Sequence, residues 1–290
     1  MAVRIWVYKL GAMKIPKRTI ERIKDGFKKY QKVAINLRER DVSEADTVTV
    51  VKDMLADVFG YDKYLELTGE QQIRGTFCDL AVKIDGKIKY LIEVKAAGVD
   101  LNDAHLRQAI DYGAKEGIEW VVLTNALSWN LHRIKFGKPI EHEEVASFNM
   151  ADINLRRDDD QRKVYLLSRE AIGQGAMATY HQQTQIFNRY TIAQLLSDDA
   201  VLATVRRLFR KLYPDIKVDK EDIADLLVEE VLKRDVVESE KAKEAASMLK
   251  RTGNKIAKKE AKAKEKAELD SQSQEPPSHQ LPVQDPPSFG

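Results

Sequence analysis

Residues 75 to 95 read GTFCDLAVKIDGKIKYLIEVK, and the reading of this stretch decides the fold. Two runs with strand-like alternation flank Asp85-Gly86, a dipeptide that marks a tight turn. In the first run Cys78, Leu80, Val82 and Ile84 share one face, and Phe77, Asp79, Ala81 and Lys83 share the other. In the second, Ile88, Tyr90, Ile92 and Val94 oppose Lys89, Leu91, Glu93 and Lys95. A two-residue loop would pair Ile84 with Lys87 and set apolar residues across from charged ones. A three-residue loop, Asp85-Gly86-Lys87, pairs Ile84 with Ile88, matches the apolar faces and brings Asp79 opposite Glu93. Hydrophobic matching therefore predicts the three-residue loop, and with it two carboxylates and Lys95 on one face of a hairpin.

Upstream, Pro16 starts a predicted helix that runs to about residue 40, with Ile20, Ile23, Phe27, Tyr30 and Val33 as its apolar stripe. Its other face is strongly basic, a pattern that solvation alone explains. Residues 4 to 11 read equally as a short strand or an irregular arm. A second helix begins at Ser43, a plausible N-cap with Asp46 three residues on, and ends at Gly60. Val48, Val51, Met54, Leu55 and Val58 form its stripe, and Glu44 sits in its first turn, where a carboxylate also offsets the helix dipole. A short strand is expected at Tyr64 to Leu67.

Downstream, residues 101 to 116 predict a helix with Asp100 as its cap. Leu101, His105, Gln108 and Tyr112 line one of its faces. Residues 118 to 125, IEWVVLTN, are apolar enough for a strand buried on both sides, and 129 to 135 add another after a turn at Asn125-Ala126. This order predicts an α/β fold, a mixed sheet flanked by helices. From residue 151 the pattern becomes helical. Arg206, Arg207, Arg210 and Lys211 cluster on a helix capped by Ser197 or Asp198 and closed by Pro214. That cluster is either a solvated face or a contact for a nucleic-acid backbone. The expected divisions are an arm and basic helix at 1 to 40, an α/β domain at 41 to 150, a small all-helical extension at 151 to 250, and a tail at 251 to 290. The tail is charged, then proline-rich and disordered.

The bulk properties limit the function classes. A net charge of +2 on 290 residues requires any nucleic-acid surface to be a local patch. The single cysteine, Cys78, rules out an internal disulfide framework and cysteine-rich zinc sites, and five scattered histidines argue against a His-based site. No apolar run approaches a membrane span, and the N-terminal residues do not read as a secretory signal, so a cytoplasmic setting without a membrane partner is expected.

Carboxylates with a nearby lysine suit phosphodiester hydrolysis. Mg²⁺ prefers oxygen ligands and keeps several waters, so one to three carboxylates hold it; Mn²⁺ is expected to substitute. Asp79 and Glu93 are the candidate ligands, with the Val94 carbonyl and Glu44 as further ones, and Lys95 stabilises developing negative charge. A plain cross-strand ion network uses the same residues.

Residues 40 to 135 resemble the N-terminal nuclease domain of type I restriction enzyme R subunits, a branch of the PD-(D/E)xK superfamily. The matching pieces are SEADT at 43 to 47, FGYD at 59 to 62, RGTFCDLAV at 74 to 82, YLIEVKAAG at 90 to 98, HLRQAIDYGAKEGIEWVVLTN at 105 to 125, and Trp129. The resemblance implies a restriction-endonuclease-like sheet and a catalytic set of Asp79, Glu93 and Lys95, with Glu44 as the acidic residue of the preceding helix. It also implies a Gln-x-x-x-Tyr element at Gln108 and Tyr112, with Arg74, as DNA-binding or supporting groups. The chain departs from R subunits in lacking a Gly-x-x-x-x-Gly-Lys-Ser/Thr phosphate loop, so no ATP-driven motor is expected. The expectation is thus a metal-dependent DNA endonuclease of restriction, phage defence or repair, with a homodimer through the C-terminal helices. A non-catalytic DNA-binding or assembly subunit that kept the fold is the alternative, and the residues do not distinguish DNA from RNA.

Overall fold

The computed structural model describes residues 13 to 69 and 78 to 272. The arm at 4 to 11, Arg74 and the proline-rich end from 273 lie outside the described residues. Two compact units divide between Gln185 and Ile186.

The first unit is built on a six-stranded mixed sheet in the sequential order β1 (Leu67–Gly69), β2 (Leu80–Ile84), β3 (Lys87–Val94), β4 (Trp120–Thr124), β5 (Ser128–Lys135) and β6 (Glu141–Asn149). All neighbours are antiparallel except β3 and β4, which run parallel. The parallel pair requires a crossover. It is supplied by a 3-10 turn (Asp103–Leu106) and helix α3 (Arg107–Glu116), which ends at Gly117 in the left-handed region at φ 70°. Residues of β4 are buried throughout, as the apolar run 118 to 125 predicts.

Alternation along β2 and β3 sends side chains to two cores. Leu80, Val82, Tyr90, Ile92 and Val94 pack with α1 (Lys17–Glu39) and α2 (Glu44–Asp57), through Ile23, Phe27, Tyr30, Val51, Met54 and Leu55. Ala81 and Leu91 pack on the other face with Leu106, Ala109, Ile110 and Tyr112 of the crossover. Trp129 is fully buried in the first core, stacked on Phe148 at 6.2 Å, and its Nε1 donates to the Ala126 carbonyl at 3.0 Å.

The hairpin corrects the predicted loop. Ile84 pairs with Lys87, so the loop is the two-residue Asp85-Gly86. Both residues have positive φ, 52° and 74°, which gives a turn whose twist matches that of the strands. The register then shifts by one: Lys83 pairs with Ile88 but Val82 pairs with Tyr90, leaving Lys89 as a β-bulge. The bulge restores the apolar match toward the base, where Leu80 pairs with Ile92. It also sends Ile88 to the α3-side core, away from the face of Tyr90, Ile92 and Val94 that the uninterrupted alternation assigns to it. Cys78 likewise joins the α3-side core, because it precedes β2 and the alternation does not extend to it.

Other boundaries move for local reasons. Residues 63 to 66 form turns and the short strand begins at Leu67. Asn102, not Asp100, caps the crossover, accepting from the Ala104 N–H at 3.0 Å; Asp100 pairs instead with Arg38 at 3.1 Å. Strand β6 has no counterpart among the predicted elements. The division expected at 150 lies at 185, because α4 (Asp158–Tyr165), α5 (Arg169–Gly173) and α6 (Ala176–Ile186) complete the first core with Val164, Tyr165, Leu166, Leu167, Met177 and Tyr180. The first helix belongs to the same unit: Arg22 reaches Glu170 through two bonds of 2.7 Å.

The second unit is helical: α7 (Arg189–Leu196), α8 (Asp199–Leu212), α9 (Lys220–Leu226), a π turn (Leu227–Val231), α10 (Arg234–Val237) and α11 (Glu240–Gln272). Asp198 caps α8 through the Ala200 N–H at 2.9 Å. Residues 251 to 262 of α11 are exposed throughout.

The bulge makes a testable distinction. Deleting Lys89 leaves Ile84 opposite Lys87 and Val82 opposite Tyr90, so that variant is expected to unfold cooperatively, within about 2 kcal/mol of the wild type. Deleting Leu91 turns Glu93 toward the α1/α2 core and is expected to abolish folding. Far-UV circular dichroism and urea transitions read both outcomes.

Candidate functional site

The parallel pair β3 and β4 ends in two loops that are tied together. The Lys95 N–H donates to the Thr124 carbonyl at 2.8 Å, and Asn125 Nδ2 donates to the Val99 carbonyl at 2.9 Å. Asn125 Oδ1 in turn accepts from the N–H groups of Leu127 and Ser128 at 3.1 and 2.7 Å. Helix α2 is anchored at the same end. Thr47 Oγ1 accepts from the Ala97 N–H at 3.2 Å and donates to the Ser43 carbonyl at 2.9 Å. Ser43 Oγ caps the helix through the Asp46 N–H at 3.1 Å. The first turn of α2, with Glu44, is thereby held beside the end of β3.

Four expected residues converge there. Glu93 is only 4% exposed, and its Oε1 accepts a bond of 2.7 Å from Lys95 Nζ. On its other side Lys95 Nζ lies 3.6 Å from Glu44 Oε2. The main-chain N–H of Val94 donates to Asp79 Oδ2 at 2.7 Å, which holds the Asp79 carboxylate against the last residue of β3. The paired register ends at Leu80 opposite Ile92, so Asp79 sits just before β2 and the Val94 N–H bond is what fixes it beside β3.

The electrostatics follow from burial and crowding. Burial, with the negative charges of Asp79 and Glu44, pushes the Glu93 carboxyl up to about 7 against the opposing pull of Lys95. Burial works against the charge on Lys95, but its bond to Glu93 and the fields of Glu93, Glu44 and Asp79 outweigh that and raise its pKa. One cation thus bridges two of three carboxylates. Among the described residues no three His, Cys, Asp or Glu groups are gathered closely enough to hold a metal ion. The donor set still fits Mg²⁺ in kind: Asp79 and Glu93 offer hard oxygens, and an ion that keeps most of its waters needs few protein ligands.

Gln108 and Tyr112 separate. Gln108 is exposed on α3, whereas Tyr112 is buried beneath the sheet, next to Cys78, with no hydrogen-bond partner for its hydroxyl among the described residues. Among the described residues, no hydrogen bond or ion pair links this i,i+4 pair to Glu93, Lys95, Glu44 or Asp79. Cys78 does lie close to the carboxylate cluster. Its thiol is pushed up to about 12, by burial first and then by the charge of Glu93. Thr47, Thr124 and Asn125 escape a reading by motif, although Thr47 interrupts an apolar stripe one helical turn before Val51.

Comparisons with known proteins return no matching family model, no matching curated protein and no matching solved structure.

The pH dependence of stability has a defined sign. Because the folded-state pKa of Glu93 lies above its ordinary value of 4.5, its contribution to stability is full below pH 4.5 and is lost as pH rises through 7. In metal-free buffer, the unfolding free energy of the wild type relative to Glu93→Gln is expected to fall by a few kcal/mol, roughly 1.4 per pH unit at most, between pH 4.5 and 8. Parallel urea titrations of the two proteins across that range measure it; a constant difference would contradict the buried acidic cluster.

Proposed function

We propose that this chain is a metal-dependent nuclease that hydrolyses phosphodiester bonds in DNA, acting in restriction, phage defence or repair. The observation that carries the reading is the convergence of a buried Glu93, Asp79, Lys95 and Glu44 at the end of β3. A buried carboxylate with a raised pKa beside two more acids has no need to exist for packing, and such sites cluster where chemistry is done.

A bound Mg²⁺ supplies charge neutralisation at the scissile phosphate and a water of lowered pKa. Asp79 and Glu93 would hold it, with the Val94 carbonyl beside them. The Val94 N–H holds the Asp79 carboxylate at the end of β3. Lys95, only 20% exposed, keeps its ammonium next to Glu93 and carries the positive charge that stabilises negative charge developing on the phosphoryl oxygens. Glu44, half exposed at the rim, orients Lys95 from the solvent side.

The second unit, taken by itself, carries a cationic surface of a kind that suits a nucleic-acid backbone. On α8, Arg206 is spent on the Val218 carbonyl and Asp219, while Arg207, Arg210 and Lys211 are exposed. They provide a local basic patch on a chain of nearly neutral net charge.

Plasmid, linear duplex and single-stranded DNA incubated with Mg²⁺ or Mn²⁺ test the reading. Divalent-dependent cleavage is expected, lowered by a factor on the order of 10³ or more in Asp79→Ala and Lys95→Ala, as for loss of a group that stabilises the transition state. Calorimetry should show Mn²⁺ binding to the wild type and none to Asp79→Ala. Folded protein that neither cleaves nor binds Mn²⁺ would favour a non-catalytic DNA-binding subunit; cleavage of RNA alone would change the substrate class.

A further inference from the structure

On the α3 side of the sheet, strands β5 and β6 bring two histidines together outside the carboxylate cluster. His132 pairs with Glu144 and Ile134 with His142, so His132 and His142 are diagonal neighbours across the strands. Their ring centroids are 5.5 Å apart with planes at 65°. His132 is 3% exposed. Both of its ring nitrogens, and Nδ1 of His142, are buried with no hydrogen-bond partner among the described residues. Buried polar atoms are rarely left this way, so three on two neighbouring rings call for a ligand.

The surroundings point to which ligand. His142 borders a cavity of about 340 Å³ together with Asp103, Arg107 and Asp111. Asp103, exposed on the 3-10 turn before α3, is the acidic group whose field acts on His132. Two imidazoles on one tetrahedral ion, each about 2.0–2.1 Å from it, place their ring centroids roughly 5 Å apart, close to the spacing here. Imidazole nitrogen suits zinc, cobalt or nickel and is a poor ligand for magnesium.

We propose that His132 and His142 bind one divalent transition-metal ion of the zinc class, with water completing the shell. Asp103 stands off from the pair, since no three such groups among the described residues surround one point. The site is independent of the proposed nuclease chemistry, which draws on hard oxygen donors at the end of β3.

Full-length protein stripped of metal is titrated with Co²⁺ in excess Mg²⁺ and followed by visible d–d absorption and melting temperature. One equivalent is expected to bind, with bands of a nitrogen- and oxygen-ligated ion and a raised Tm. His142→Ala, at a half-exposed position on the edge strand, and His132→Phe, which fills its space with an apolar ring, should each weaken binding by about tenfold or more. Asp79→Ala should leave the signal unchanged, so loss of this site and loss of the nuclease site are read separately. Absence of saturable Co²⁺ or Zn²⁺ uptake by the wild type, or uptake unchanged in folded His142→Ala, overturns the proposal.

Discussion

The parallel pairing of β3 with β4 is the constraint on which the rest of the first unit depends. An antiparallel hairpin can close with two residues, but a parallel neighbour forces the chain to cross over the sheet. The crossover places α3 against one face and leaves the other to α1 and α2, so both faces are covered and β4 is buried along its whole length. It also puts the ends of β3 and β4 side by side. Their loops are clamped by the Lys95–Thr124 and Asn125–Val99 bonds, and the acidic cluster forms at that place.

Burial at that place explains the cluster's chemistry. Glu93 projects from a central strand toward the α3-side core rather than toward solvent, so its ionised form is costly, and Lys95 offsets only part of the cost. The geometry is kept by neutral main-chain and hydroxyl groups: the Val94 N–H on Asp79, and Thr47 between Ala97 and Ser43. The histidine pair lies on β5 and β6, apart from this cluster, and three of its ring nitrogens have no hydrogen-bond partner among the described residues.

Much of this was legible in the residues. The stripe of Ile23, Phe27 and Tyr30, the Ser43 cap, the buried run at 120 to 124 and the grouping of Asp79, Glu93 and Lys95 follow from period, capping chemistry and face matching, whereas the place of Glu44 beside them was implied by the family resemblance. The predicted loop was wrong at its tip yet right at its base, because hydrophobic matching constrains the sum of loop and bulge and not where the extra residue sits. Gln108 and Tyr112 show the limit of spacing: an i,i+4 pair shares a helix face, but the packing of α3 buried one and left the other in solvent.

The sequence by itself determined a mixed α/β core, a helical C-terminal region and a hairpin able to set two carboxylates and a lysine on one face. These are local properties, carried by alternation, helical period and turn chemistry. Only the tertiary structure decided that Lys89 bulges, that residues 151 to 185 complete the first core, that Glu93 is desolvated enough to titrate at about 7, and that His132 meets His142. Each of these depends on which surfaces meet across elements distant in sequence, and burial is a property of that meeting rather than of any residue type.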